Sequence, residues 1–88
     1  MNKIDTHNRK GDERSTATSL LRLGTRLKLS RQTRGLTLKA LAAAANCSES
    51  LLSKVENGKV SPSLPMLHRL VEVLGTNIGW MFEEADGE

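Results

Sequence analysis

A chain of 88 residues, 38% hydrophobic and 26% charged, fits one small domain with an economical core. Polar residues interrupt every leucine cluster, and the basic opening residues lack an apolar stretch, which argues against a bilayer span and a secretory signal. A single cysteine, Cys47, excludes an internal disulfide framework and fits a reducing cytoplasm; with two distant histidines it argues against a zinc site.

The formal net charge of +3 is unevenly distributed. Residues 1–19 are nearly balanced. Residues 20–59 hold eight basic side chains (Arg22, Arg26, Lys28, Arg31, Arg34, Lys39, Lys54 and Lys59) against Glu49 and Glu56. Residues 60–88 hold Arg69 against Glu72, Glu83, Glu84, Asp86 and Glu88. This asymmetry suggests that the middle of the chain faces a polyanion.

Residues 1–19 are polar, with Ile4 as their one large apolar side chain, and are expected to form a flexible arm. From Leu20 the pattern becomes helical. Leu20, Leu23 and Leu27 share one face of a first helix that should stop near Gly35. Thr37 reads as the N-cap of a second helix whose buried face is Leu38, Leu41, Ala42 and Ala45. Asn46 tolerates the left-handed conformation of a sharp exit, and Cys47 plugs the corner as a core residue rather than a nucleophile. Ser48 then caps a third helix with Leu52 and Val55 inward, ended by Asn57-Gly58. Ser63 caps a fourth helix carrying Leu64, Leu67, Leu70, Val71 and Leu74, with Pro65 in its first turn and Gly75 closing it. Ile78, Trp80, Met81 and Phe82 form a short last helix, followed by an acidic tail over 83–88 expected to be unpacked. The expected fold is an all-α bundle of about five short helices, with residues 20–82 as its domain.

Residues 37–57 have the size of a helix-turn-helix unit. The second helix of such a pair can enter the major groove if its inner face is apolar and its outer face is small, polar or basic. Ser48, Glu49, Ser50, Ser53 and Lys54 supply that outer face.

The stretch 24–82 resembles the Cro/phage-repressor type of helix-turn-helix, the XRE family of bacterial and phage transcriptional regulators. The resemblance rests on Arg31-x-x-Arg34-Gly35-Leu36-Thr37, Leu41-Ala42, Ser48-x-x-x-Leu52-Ser53-x-Val55-Glu56-Asn57-Gly58-Lys59 and Pro62-Ser63-Leu64-x-x-Leu67, all in register. Thr37-Leu38, Ser50-Leu51-Leu52-Ser53 and residues 59–64 are similar to the subgroup whose members usually carry a C-terminal cupin sensor domain, which would make the chain an excised N-terminal part of a longer protein.

The resemblance implies that Ser48, Glu49, Ser50 and Lys54 read base edges. Chemistry agrees, since Lys donates to guanine, Ser donates or accepts, and Glu accepts from cytosine N4. Glu49 reads equally as a carboxylate favoured by the helix dipole. Leu51 is expected to be partly buried against the bundle rather than to touch a thymine methyl. Thr37, Lys39, Asn57 and Lys59 fall at phosphate-contacting positions. The start of the second helix suits an anion, because its amides are unpaired. Two positions depart from the family pattern. Leu38 stands where a Gln donor is common, and Ser63 stands where some relatives place a minor-groove Arg. Arg31 and Glu56 fall where relatives form an internal ion pair.

The implied function is sequence-specific binding of a double-stranded DNA operator, as a homodimer on a near-palindromic site. The alternative is a protein-interaction module such as an antitoxin, which an exposed Trp80-Met81-Phe82 patch would favour. No nucleophile–base pair or phosphate-cradling glycine loop is legible, and no cofactor is implied; the chain does not read as an enzyme.

Overall fold

The computed structural model describes residues 9–83, with side chains from residue 16 onward. Its described residues form five helices: α1 (Arg9–Thr33), α2 (Leu38–Ala44), α3 (Glu49–Glu56), α4 (Leu64–Leu74) and α5 (Ile78–Phe82). The expected all-helical bundle is observed. Residues 1–8 and 84–88, part of the expected arm and nearly all of the expected tail, lie outside the described residues.

Residues 9–19, read from the sequence as part of an arm, are helical and continuous with the rest of α1. Thr16, Ala17 and Thr18 are exposed, so burial does not hold this turn in place. Propagation supplies the reason. Once Leu23 and Leu27 fix a helix against the core, each further residue gains one backbone hydrogen bond without a new nucleation cost.

One core unites the five helices. Leu23 and Leu27 from α1, Leu41 and Ala42 with Ala45 from α2 and its cap, and Leu52 and Val55 from α3 are buried together. Met66, Leu67, Leu70, Val71 and Leu74 from α4 and Met81 from α5 complete it. Leu64, expected inward, is 62% exposed; it is the first residue of α4, ahead of the stripe that Met66 begins. Phe82 at the end of α5 is also exposed.

Side-chain caps start four helices. Thr37 Oγ1 accepts from the Ala40 amide at 3.0 Å, Ser48 Oγ from Leu51 at 3.0 Å and Ser63 Oγ from Met66 at 3.2 Å. Asn77 Oδ1 accepts from Trp80 at 2.8 Å. Each cap satisfies one of the unpaired amides of a first turn.

Helices α1 to α4 also end alike. In each, a left-handed residue lets two amides fold back onto carbonyls of the last turn. At the end of α2 that residue is Asn46, at φ 56°, the sole non-glycine in this conformation among the described residues. The following Cys47 amide then reaches the Ala42 carbonyl at 2.9 Å.

Candidate nucleic-acid interface

The α2–turn–α3 unit is built from behind. Arg69 on α4 reaches the turn and donates from Nε to the Ala45 carbonyl at 2.7 Å. Cys47 is half-buried beside it, and burial raises its thiol pKa against the opposing influence of Arg69.

The far end of α3 is held by two devices. Arg31 grips Glu56 in a forked pair, Nε to Oε2 at 2.7 Å and Nη2 to Oε1 at 3.0 Å. Its Nη1 donates to the Leu36 carbonyl at 3.0 Å, so one guanidinium joins the exit of α1 to the end of α3. The hydrogen bond to Glu56 raises the Arg31 pKa, opposed by burial. The second device is Gly24. A Cβ at that position would lie 2.6 Å from the Val55 carbonyl oxygen and closer still to that of Glu56. The missing side chain lets the α1 backbone touch the last turn of α3.

With Leu52, Val55 and Glu56 buried, α3 turns its other side to solvent. A rotation of about 100° per residue puts Ser50, Lys54 and Asn57 roughly opposite the buried side. Ser48, Glu49, Ser50, Lys54, Asn57 and Lys59 are all exposed, as are Thr37 and Lys39 at the start of α2. Capping limits two hydroxyls: Ser48 and Thr37 already accept an amide proton, and each keeps its own O–H to donate. The Asn57 amide nitrogen donates to the Ser53 carbonyl at 3.0 Å, which engages one of its two protons. Glu49 occupies the first turn of α3, where the helix dipole favours a carboxylate. Leu51 contradicts its expected partial burial: it is 39% exposed on α3 and stands outside the core cluster.

The positive middle of the chain is only partly a surface feature. Arg26 lies over the Trp80 ring, 5.2 Å from its centroid, and donates to the Trp80 carbonyl. Arg34 donates to the Leu74 carbonyl at 3.1 Å, at the end of α4. With Arg31, three of the basic residues counted toward a polyanion therefore donate hydrogen bonds to the protein itself. A charge sum is blind to this, because carbonyls at helix C-termini attract guanidinium groups as phosphates do. The sequence signal for Gly24 is an isolated glycine within a helical stripe; Arg69 leaves no signal beyond being the lone arginine or lysine on α4.

The last helix does not form the continuous exposed patch that would favour a protein-binding module. Met81 is fully buried and Trp80 half-buried beneath Arg26, leaving Phe82 as the exposed member.

Residues 22–78 match the family model described as "Helix-turn-helix domain". The chain belongs to this helix-turn-helix family. Its two central helices with their tight turn are the motif that gives the family its name. The chain is 40% identical over 63 residues to the HTH-type transcriptional regulator DdrOP3 of Deinococcus deserti, covering 72% of this chain and 49% of that protein. It is 33% identical over 63 residues to the HTH-type transcriptional regulator PuuR of Escherichia coli, covering 72% of this chain and 34% of that protein. The chain thus spans about half, or about a third, of the length of these curated relatives. Among solved structures, the clp gene regulator ClgR from C. glutamicum superposes with a TM-score of 0.69 at 30% identity, covering 73% of this chain and 82% of that one. The helix-turn-helix assignment thus rests on sequence and on shape together.

Among the described residues no helix is long and apolar enough to cross a membrane. Nor does any group of three or more His, Cys, Asp or Glu among them come together as a metal site.

Proposed function

We propose that the chain binds double-stranded DNA sequence-specifically as part of a transcriptional regulator, with α3 lying in the major groove. One observation carries the reading. The helix that buries Leu52, Val55 and Glu56 turns Ser50 and Lys54 away from them, with Ser48 and Glu49 exposed at its start, and it is braced at its far end by Arg31 and Gly24. A rigid helix with a small, polar, partly basic outer face fits a groove about 12 Å wide.

Lys54 donates to a guanine edge, Ser48 and Ser50 donate to base or backbone oxygens, and Glu49 accepts from a cytosine amine. Thr37, Lys39, Asn57 and Lys59 hold the flanking phosphates, the first two beside the open amides of the α2 N-terminus. Leu38 brings no polar donor to that end, so Lys39 and the backbone amides carry the contact there. Two copies on a near-palindromic operator would set their α3 helices about 34 Å apart, one turn of the duplex. The likeness of residues 50–53 and 59–64 to the cupin-linked subgroup, and the greater length of the relatives, support a sensor domain working with this one. The names of the relatives, two HTH-type transcriptional regulators and a clp gene regulator, support the same reading.

Selection of bound sequences from random duplex DNA tests the proposal. An enriched, two-fold symmetric site supports it and fixes the stoichiometry. Recovery of unenriched sequence contradicts it.

A further inference from the structure

Leu51 is the one large apolar side chain exposed on α3, and every other exposed position of that helix is polar or charged. It adjoins Lys54, three residues on, on the flank of the outward face. Its own amide is the group that Ser48 caps at 3.0 Å, so the start of the helix fixes the backbone from which it projects.

We propose that Leu51 is a specificity-determining residue that packs on the C5-methyl group of a pyrimidine. The inference rests on α3 entering the major groove. On the major-groove edges of the base pairs the N7, O6, O4, N6 and N4 groups are hydrogen-bond donors or acceptors, and a leucine can satisfy none of them. The thymine methyl is the one apolar group that projects into the groove, so an exposed leucine between hydroxyls and a lysine gains most where that methyl lies beneath it. The same atom is present on 5-methylcytosine, so the chemistry recognised is the C5-methyl, with thymine its source in unmodified DNA. Leu51 thus adds a steric and apolar reading to the donors and acceptor on either side of it.

The test uses the operator recovered by selection and fluorescence anisotropy at fixed salt. Each thymine is replaced in turn by deoxyuridine, which removes the methyl and nothing else. In a second arm each cytosine is replaced by 5-methylcytosine. Wild type should lose about fourfold in affinity at one deoxyuridine position per half-site, the scale of one buried methyl. Leu51→Ala should bind more weakly overall and be indifferent at that position. If the matching response occurs only with 5-methylcytosine, by tighter binding of wild type alone, the methyl reading stands and its source is the modified base. Equal responses of wild type and Leu51→Ala in both arms overturn the proposal. Urea unfolding confirms that Leu51→Ala remains folded, as expected for an exposed position. A wild-type chain that binds no duplex at all would instead overturn the DNA-binding reading itself, which keeps the two failures apart.

Discussion

Arg69 donates from its guanidinium Nε to the main-chain oxygen of Ala45 at 2.7 Å, fastening α4 to the turn on which α3 is hung. Ala45 is fully buried, so water cannot easily replace the lost donor. Arg69→Ala should lower stability by about 1–3 kcal/mol, the cost of a carbonyl left without its charged partner. Urea denaturation monitored by circular dichroism checks this. A midpoint equal to wild type would show the bond to be dispensable.

Gly24 sets how closely α1 approaches the end of α3. Its neighbours there are backbone carbonyl oxygens, which cannot swing aside as a side chain would. Gly24→Ala should therefore destabilise by about 1–3 kcal/mol, against the usual gain of alanine in a helix. The same denaturation series measures it. Stabilisation would mean that the two helices separate without cost.

The Arg31–Glu56 pair has side chains only 12% and 4% exposed, so removing one partner strands a buried charge. Arg31→Ala or Glu56→Ala alone should cost about 3–5 kcal/mol. The double substitution should cost clearly less than their total. A thermodynamic cycle through all four proteins reads the coupling, and additive losses would count against a direct pair.

Cys47 should react slowly. Burial holds its thiol pKa above the ordinary value, so little thiolate is present near neutrality. The neutral form is the one that the fold favours. Its stabilising contribution is therefore complete below the usual thiol range and fades as pH rises through the raised value. Alkylation by iodoacetamide at neutral pH should run slower in the native protein than in urea. A native rate equal to the unfolded one would contradict this placement.

How much of this was legible beforehand depended on how local each feature is. Leu23, Leu27, Leu41, Leu52, Val55 and Leu70 announce themselves by helical spacing, and Thr37, Ser48 and Ser63 by standing just ahead of their stripes; all are set within one or two turns of chain. The exposed polar residues of α3, Ser50 and Lys54, follow from the same periodicity. Arg26, Arg34 and Arg69 were beyond reach because each ends on a carbonyl at least 24 residues away, which only the packed bundle brings near. The helical extent of residues 9–19 leaves little trace in the sequence because their composition is polar, yet they need only continue a helix already nucleated. Leu51 was misjudged because a leucine in a short helix ordinarily points inward.

The placement of α3 in the groove is tested most directly by comparing Lys54→Ala with Lys59→Ala on the selected operator across a salt series. Lys54→Ala should cost about 1–3 kcal/mol and abolish preference at a single base pair in each half-site. Lys59→Ala should weaken operator and random duplex alike and reduce the salt slope by about one unit. If Lys54→Ala leaves both affinity and base preference unchanged while the protein stays folded, the outer face of α3 does not read DNA.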